Sequence, residues 1–376
     1  MNRIYTLVAS ASLMAVTLTG CAQDPNAIGR SGYTVAAEKL FANLCDMPVK
    51  GIMFGHQDDP FYGYGWRGEQ GRSDVLEVCG EYPAVIGGDL SKLERDSELN
   101  IDGVPFESER REYIAQYERG GMVTISWHCD NPLTGGDAWD HSDTTVVASI
   151  LEGGALHEMF IGWLDKVAGF LNSLETADGV KVPVLFRPWH EHTAHHFWWG
   201  YGNCTREQFI ALWVMTYDYI HERCPQVIFS YSPSFYVYNG TFNTEEYLRW
   251  FPGNKYVQVL GADLYRGATQ SSQGYIKNCE QMLDVTVAAA KETGLPYALT
   301  ETGHYDMPDP NYWTGDLLPV LKKYKPVYVL LWRNDDTMIH ERYVPWPGHP
   351  AERDFLKFHD DKATLFLSDI AGKLYK

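Results

Sequence analysis

The amino-acid sequence predicts an α/β protein whose single domain is a (β/α)8 TIM barrel. Eight short runs rich in β-branched and apolar residues recur along the chain, helix-like segments separate them, and no linker interrupts the series. Most of the runs are continuously apolar rather than alternating, which is typical of parallel strands buried on both faces. Eight such strands that alternate with helices form a barrel, and this chain is long enough for one.

The predicted elements follow one another after an N-terminal helix. The strands are predicted at residues 51–57, 84–90, 122–128, 182–191, 226–233, 257–265, 296–303 and 326–334. The helices are predicted at residues 34–47, 68–79, 105–119, 157–174, 205–223, 244–250, 273–293, 315–324 and 350–367. Thr205 with Gln208 predicts a capping box at one helix start, and Gly294 predicts a helix end.

The N-terminal residues predict export and lipid anchoring. A basic start and a short apolar stretch indicate that residues 1–20 are a signal peptide rather than a membrane span. Leu-Thr-Gly-Cys, ending at Cys21, resembles a bacterial lipobox in which that cysteine receives the lipid. Residues 21–33 are then an anchor segment, and residues 34–376 are the folded domain. We expect a membrane-anchored bacterial lipoprotein that faces the periplasm or the cell surface; the alternative is secretion with Cys21 unmodified.

Composition narrows the classes of partner. The formal net charge is −18 and no run of Lys or Arg is present, which argues against nucleic acid as a partner. Aromatic residues make up 14% of the chain, an excess that suits binding to the faces of sugar rings as well as packing in the core. We expect a monomer.

Six cysteines remain when Cys21 is set aside, and an exported chain can oxidise them. Six cysteines allow fifteen pairings, among which the sequence does not choose. The pairs we favour are Cys204 with Cys224, which flank one predicted helix, and Cys45 with Cys79, which lie near the ends of two others. No CxxC pattern occurs, which argues against a zinc cluster.

Polar or aromatic residues end the predicted strands: His56, Asp89, His128, Glu191, Ser230 with Ser232, Asp263 with Tyr265, Glu301 and Trp332. The carboxyl ends of barrel strands converge on the active site. Glu191 and Glu301 end the fourth and seventh strands. Two carboxylates in one cleft are what glycoside hydrolysis needs, because one protonates the leaving oxygen and the other attacks or stabilises the sugar cation. The sequence therefore predicts Glu191 and Glu301 as a catalytic pair.

The histidines near Glu191 raise a metal alternative. His190-Glu191 begins the HExxH pattern of zinc proteases, but Ala194 occupies the position of the second histidine. His192, His195 and His196 have spacings that suit metal binding, yet no carboxylate-rich segment accompanies them. We expect no metal and no organic cofactor, with a metal-dependent hydrolase as the less favoured alternative.

The stretch around Glu191 resembles glycoside hydrolase family 26, which consists mostly of β-mannanases. The family pattern Arg-Pro-x-His-Glu-x-x-Gly-x-Trp-Phe-Trp-Trp-Gly is followed closely by residues 187–200. Further stretches that resemble the family are residues 51–59, 126–132, 263–265 and 331–334. The resemblance covers nearly all of the chain after residue 33, and it implies a retaining (β/α)8 hydrolase.

The resemblance also implies roles for individual residues. Glu191 is then the acid/base and Glu301 the nucleophile, with Tyr265 beside it. The residues implied around the sugar are His128, His190, Asp263 and Trp332. Further candidates for substrate binding, in the stretches that resemble the family, are His56, Arg187 and Trp198. The implied substrate is a β-1,4-linked mannan, galactomannan or glucomannan.

Two positions depart from the family pattern, and two alternatives stay open. Ala194 stands where the family usually has Gly, and His196 stands where it usually has Trp. The second departure predicts an altered sugar subsite. The nearest alternative is hydrolysis of another β-glycan, such as β-1,3-xylan or mixed-linkage β-glucan. The alternative from another class is a non-catalytic glycan-binding lipoprotein on the same barrel.

Overall fold

The computed structural model describes residues 32–236 and 242–376. Its parallel strands form a barrel, and we number them β1 to β8 in chain order: Ile52–Gln57, Val85–Asp89, Met122–Trp127, Val184–Pro188, Val227–Tyr231, β6 in the two halves Val259–Leu260 and Asp263–Arg266, Leu299–His304 and Tyr328–Leu331. Neighbours in the chain are neighbours in the sheet, and β1 pairs with β8 as well as with β2. The predicted (β/α)8 fold is confirmed.

The sixth strand is divided, although the sequence predicts one continuous strand there. Its first half pairs with β5 and its second half pairs with β7. Gly261 lies at the break, where a Cβ atom would come within 2.5 Å of the Ser232 hydroxyl and 2.6 Å of the Thr300 hydroxyl. Close approach of three strands therefore requires glycine, and the division lets β6 pair in turn with both neighbours.

The helices of the described chain pack around the sheet. They are α1 to α11, at Val35–Asp46, Asp74–Cys79, Phe106–Glu118, Val146–Ile150, His157–Ser173, Arg206–Arg223, Thr244–Leu248, Ser272–Thr293, Leu318–Tyr324, Glu352–His359 and Leu367–Ile370. Both hydrogen bonds of the predicted capping box between Thr205 and Gln208 are present. Gly294 ends α8 with a φ of 72°, as predicted.

Two predicted helices are shorter than expected. The segment predicted as a helix at residues 350–367 is helical only to His359, because Thr364–Leu365 forms a short strand that pairs with β1. The segment predicted at residues 68–79 becomes helical only at Asp74, where the Ser73 hydroxyl caps the first turn. In both cases a local tertiary or capping contact overrides helix propensity.

The predicted disulfides are wrong, because Cys79, Cys204 and Cys224 are free thiols. Cys204 and Cys224 lie at opposite ends of α6, whose 18 residues separate them by about 27 Å, far beyond the reach of a disulfide. The Cys79 thiol instead contacts the carbonyl oxygen of Val75 at 3.2 Å.

The described residues form one body around a continuous core. A second, smaller cluster of buried residues includes side chains near the amino ends of the strands, among them Met53, Val85, Leu185, Ile228 and Tyr328. In the part of the chain that the structure describes, no helix is both long and apolar enough to cross a membrane. The predicted signal peptide and Cys21 lie outside the described residues.

Candidate active site

Glu191 lies in a strained turn just beyond the end of β4. Trp189 and Glu191 have φ values of 52° and 53°, in the left-handed region that non-glycine residues seldom adopt. The Glu191 amide donates a 2.7 Å hydrogen bond to the carbonyl oxygen of Ser232, which follows β5. Trp189, which belongs to the same turn, is fully buried. Backbone strain of this kind persists where the surrounding packing determines the conformation, and it clusters at functional sites.

Glu301 lies within β7, and its carboxylate lies close to that of Glu191. It pairs in the sheet with Asp263 of β6. One carboxylate oxygen from each of Glu191, Asp263 and Glu301 lies within 4.8 Å of the others. The fold thus brings together the two glutamates that the sequence predicts as a pair, at the carboxyl ends of strands that are distant in the sheet.

Charged and polar groups hold Glu301 from two sides. The Tyr265 hydroxyl donates a 2.6 Å hydrogen bond to Oε2 of Glu301. The Arg187 guanidinium forms an ion pair with Oε1 of Glu301 and a second, 2.9 Å pair with Asp263. The Thr300 hydroxyl donates to the other oxygen of Asp263 at 2.6 Å. Each carboxylate oxygen of Glu301 therefore accepts a hydrogen bond from one side chain, Arg187 or Tyr265, and the two together fix the orientation of the carboxylate.

Burial controls the titration of these carboxyls. It raises the pKa of Glu301, while Arg187 opposes the rise and the charge of Glu191 adds to it. Burial also raises the pKa of Asp263 well above its usual range, again against Arg187. Arg187 is therefore the counter-charge that favours the ionised forms of two neighbouring carboxyls. An ionised Glu301 beside a cleft is a competent nucleophile.

The same three carboxylates are the group of the described residues that is spaced to share a cation. Arg187 already forms an ion pair with both Asp263 and Glu301. The predicted alternative ligands do not gather into such a group among the described residues. His192, for example, hydrogen bonds through Nε2 to the Tyr231 hydroxyl at 2.9 Å, and burial lowers its pKa to about 3.

A chain of hydrogen bonds places two histidines beside the glutamates. Asp89 contacts Nδ1 of His128 at 2.7 Å, and Nε2 of His128 lies 3.1 Å from Nε2 of His190. Burial pulls the pKa of His128 down, but the Asp89 carboxylate outweighs it and leaves that pKa raised. Burial and the nearby Arg187 lower the pKa of His190 far below its usual range. A protonated His128 can therefore donate to a neutral His190.

These groups line an open cleft of about 550 Å³. Of the residues predicted from the sequence, the lining includes His128, His190, Glu191, Tyr265, Glu301 and Trp332. Residues that sequence reasoning missed complete it: Arg67, Ile101, Asp102, Trp139, Phe197, Tyr305, Arg333, Asp335, Thr337, Met338, Glu341 and Tyr343. Most of them lie in loops, where no periodicity marks a residue that faces the cleft.

Four residues predicted around the sugar lie behind the cleft wall. Arg187 and Asp263 are buried beneath Glu301 and act on its charge. Trp198 is fully buried, with its indole N–H donating to the carbonyl oxygen of Cys129 at 2.9 Å. His56 is buried and pairs with Asp59 at 2.8 Å. These positions support roles in holding the site rather than in touching a ligand.

His196 and Ala194, the two departures from the family pattern, lie in different surroundings. His196 lines the cleft, and its Nε2 is 2.8 Å from Oε2 of Glu191. Ala194 is buried, and its carbonyl oxygen accepts from the Tyr201 amide at 2.9 Å. The departure at position 194 therefore lies inside a turn, whereas the departure at position 196 places a histidine in contact with Glu191.

Ion pairs and hydrogen bonds join three loops at one side of the cleft. Arg67 donates to both carboxylate oxygens of Asp336, at 2.6 and 2.9 Å, and to the carbonyl oxygen of Asp102 at 2.8 Å. Arg333 pairs with Asp102 and, at 2.6 Å, with Glu341. The loops after β8, β1 and β2, which are neighbours in the sheet, thus meet and bound the cleft on that side.

Comparisons with known proteins relate the chain to one family of glycosidases. The sequence profile of glycosyl hydrolase family 26 matches residues 30–314. The mannan endo-1,4-β-mannosidase of Bifidobacterium adolescentis is 30% identical over 391 aligned residues, which cover 96% of this chain and 38% of that protein. The mannan endo-1,4-β-mannosidase of Bacillus subtilis strain 168 is 28% identical over 69% of each chain. The present chain thus spans about two fifths of the Bifidobacterium protein.

Solved structures show the same architecture. A GH26 β-mannanase from Bacteroides ovatus superposes with a TM-score of 0.87 at 46% identity, over 91% of this chain and 98% of that one. The catalytic domain of a GH26 endo-β-1,4-mannanase from Bacillus sp. JAMB-750 superposes with a TM-score of 0.83 at 27% identity, over 92% of this chain and 95% of that one.

Proposed function

The chain belongs to glycosyl hydrolase family 26, and from that premise we propose that it is a retaining β-mannanase. It cleaves β-1,4-mannosidic linkages in mannan, galactomannan or glucomannan. The observation that carries this proposal is the approach of Glu191 and Glu301 to within 4.8 Å in one cleft. Retaining enzymes hold their carboxyls about 5–5.5 Å apart, whereas inverting enzymes need about 6.5–9.5 Å to admit a water.

In the first step Glu301 attacks the anomeric carbon while Glu191 protonates the leaving oxygen. The glycosidic bond breaks, a bond forms between the sugar and a Glu301 oxygen, and the shortened chain departs with the proton. Arg187 keeps Glu301 ionised before the attack, and Tyr265 fixes the direction of its oxygen. Positioning of the nucleophile before binding removes part of the entropic barrier.

In the second step Glu191 acts as the base. It takes a proton from a water whose oxygen attacks the anomeric carbon, and the bond to Glu301 breaks. The product keeps the β configuration, and Glu191 regains the proton that it lost. His128, His190 and Trp332 line the cleft beside the two glutamates, where they can donate to hydroxyls or pack against a ring of the sugar.

The anomeric configuration of the first product tests this mechanism. Proton NMR of fresh product should show the β-anomer first, because two displacements restore the starting configuration. Glu301→Ala should lower turnover at least ~10⁴-fold, on the scale seen for loss of a covalent catalytic group. Added azide should partly restore cleavage and give the α-glycosyl azide. An α-anomer formed first by the unmodified enzyme would overturn both role assignments.

Release of reducing sugar from mannan separates a β-mannanase from the alternatives. The two titratable glutamates on opposed strand ends favour an enzyme over a glycan-binding lipoprotein, because binding alone does not require an acid and a nucleophile. Activity on β-1,3-xylan or mixed-linkage β-glucan that exceeds activity on mannan would favour the other-glycan alternative. Loss of activity with a chelator, restored by a divalent cation, would favour the metal-dependent alternative.

The anchor is a second part of the proposal and rests on the motif at residues 18–21 alone. Cys21 carries a lipid, and the protein is a membrane-anchored monomer that faces the periplasm or the cell surface. Mass spectrometry of the mature N-terminus tests the lipid. Cys21→Ser should release the protein from membranes without change in turnover, since the barrel begins later. Sedimentation in detergent tests the monomer.

A further inference from the structure

Two aromatic rings are stacked at the surface beside the cleft, and the mechanism above does not use them. Tyr64 and Trp346 lie face to face, with ring centroids 4.0 Å apart and planes 5° from parallel. Trp346 is partly exposed and also contacts the His349 ring, at 4.5 Å between centroids. Tyr64 is 44% exposed, and within the described chain no second aromatic ring contacts it. One face of the Tyr64 ring is therefore open to solvent.

The guanidinium of Arg342 lies beside the stack and leaves this face open. Its central carbon is 5.0 Å from the Tyr64 centroid and 5.8 Å from the Trp346 centroid. A cation on the outer face of Tyr64 would be farther from Trp346 than that, because the two rings are 4.0 Å apart. The neighbouring turn is open as well, since a Cβ atom on Gly65 would meet nothing within 4 Å. A ligand can therefore approach the outer face of Tyr64 from solvent.

Buried hydrogen bonds hold the stack in place before any ligand binds. The buried Asp74 carboxylate accepts from the Tyr64 backbone amide at 2.9 Å and from the Asn334 side-chain amide at 2.7 Å. Asn334 also donates to the carbonyl oxygen of Val344 at 2.8 Å, two residues before Trp346. Asp74 and Asn334 therefore join the turn that carries Tyr64 to the loop that carries Trp346. A binding surface that is ordered in advance loses little conformational freedom when a ligand binds.

We propose that the stack of Tyr64 on Trp346 is a second carbohydrate-binding site, outside the cleft, for a β-mannan chain. The face of an aromatic ring is electron-rich, and the C–H groups on one face of a pyranose pack against it. The hydroxyls of the sugar need polar partners at the rim. Arg342 supplies one: its Nε and Nη2 donate to the carbonyl oxygens of Asp335 and Asp336, at 2.9 and 3.3 Å, whereas Nη1 makes no hydrogen bond within the described chain. An open ring face beside a free donor is the combination that a sugar ring needs.

The stack lies close to the cleft but does not belong to its lining. Asp336 is contacted by Arg67, which lines the cleft, and by Arg342, which flanks the stack. Among the described residues that line the cleft, neither Tyr64 nor Trp346 occurs. A polymer bound at the stack is therefore held near the cleft, which raises its effective concentration there. This inference rests on the proposed function, which supplies the mannan.

Steady-state kinetics on a long and a short substrate tests the inference. Tyr64→Ala should raise KM on polymeric galactomannan about fivefold, the scale of one stacked ring pair, and should leave kcat within about 1.5-fold. On mannotetraose kcat/KM should stay the same, because a short sugar at the stack is a different molecule from the one in the cleft and gives no avidity. Tyr64→Phe should match the unmodified enzyme on both substrates, since it keeps the ring face.

Tyr219→Ala is the matched control. Tyr219 is a partly exposed tyrosine of α6, but the Arg223 guanidinium lies over its ring, 3.7 Å from the centroid. Its variant should keep the KM of the unmodified enzyme on galactomannan. An unchanged KM in Tyr64→Ala, an equal rise in Tyr219→Ala, or no rescue by Tyr64→Phe would overturn the inference. Equal losses on galactomannan and mannotetraose would also overturn it, because they would show that Tyr64 acts through the cleft.

Failure of the inference is distinct from failure of the proposed function. Electrophoresis of Glu301→Ala through a gel that contains galactomannan measures binding without turnover, and the added substitution Tyr64→Ala should make that protein migrate faster. If the unmodified enzyme releases no reducing sugar from mannan, the proposed function falls. If it does so and Tyr64→Ala changes neither KM nor migration, only the inference falls. KM does not depend on the amount of folded enzyme, so partial unfolding of a variant does not imitate the expected result.

Discussion

The Tyr265 hydroxyl lies 2.6 Å from Oε2 of Glu301, and the two residues come from neighbouring strands. Tyr265 pairs in the sheet with Gly303, two residues beyond Glu301, so both side chains point to the same face. Burial raises the pKa of Tyr265 far above its usual range, with the Glu301 charge adding to the effect, so the hydroxyl stays protonated and donates.

Tyr265→Phe removes this one hydrogen bond and keeps the ring. A hydrogen bond to a charged group contributes about 1.5–3 kcal/mol, so we expect kcat to fall at least ~10-fold. Steady-state kinetics on mannohexaose measures this. Tyr247→Phe is the control: it loses a buried 2.7 Å bond to the Gly261 carbonyl oxygen and should lower stability without lowering kcat. Equal losses of kcat in both variants would contradict the assigned role.

Arg187→Gln removes the counter-charge of Glu301 and Asp263. The pKa of Glu301 should rise, because Arg187 is the group that opposes the effect of burial. Since Glu301 must be ionised to attack, the acid limb of the kcat/KM profile moves to higher pH. Loss of one partner of a buried ion pair also costs about 3–5 kcal/mol of unfolding free energy. Arg95→Gln is the control, because Arg95 is partly exposed in its pair with Asp130. It should shift the acid limb and lower the unfolding free energy less than Arg187→Gln does.

His192 makes stability depend on pH. Its folded-state pKa of about 3 lies below the unfolded value of 6.5, because burial disfavours the charged ring. Its contribution is therefore fully present above about pH 6.5 and is lost as the pH falls from 6.5 toward 3. The unfolding free energy of the unmodified protein relative to His192→Gln should fall ~1.4 kcal/mol per pH unit in that window.

Urea unfolding at pH 7, 6 and 5 measures the difference in unfolding free energy between the unmodified protein and His192→Gln. His340→Gln is the control, since 73% of that side chain is exposed. A difference between the unmodified protein and His192→Gln that stays constant from pH 7 to pH 5 would show that His192 takes up its proton in the folded state.

Arg67→Ala should widen the cleft on the side of β1. The substitution removes the contacts from Arg67 to Asp336 and to the Asp102 carbonyl oxygen, which join the loop after β1 to the loops after β8 and β2. We expect the rate on polymeric mannan relative to mannotetraose to rise several-fold, with longer products, because a longer chain can then enter. Arg72→Ala, which removes surface pairs with Glu69 and Glu77 and a cation–π contact with Trp66, should leave the product profile unchanged. Identical profiles for both variants would show that the joined loops do not limit binding.

The sequence by itself determined the barrel and predicted the two glutamates that meet in its cleft. Strands buried on both faces are continuously apolar, which is a local property, and their number and alternation with helices leave few other folds. Glu191 and Glu301 were found because each follows such a run. The ends of helices were found where a cap is local, as at Thr205 and Gly294.

Only the tertiary structure decided the contacts between distant segments. The short strand at Thr364–Leu365 replaces helix because β1 offers an edge there, and free Cys204 and Cys224 follow from the length of α6. Arg187 pairs with Glu301 and is not among the residues that line the cleft, and His196 contacts Glu191. Strand register, loop closure and the direction of a side chain set these contacts, and none of the three has a periodic signal in the sequence.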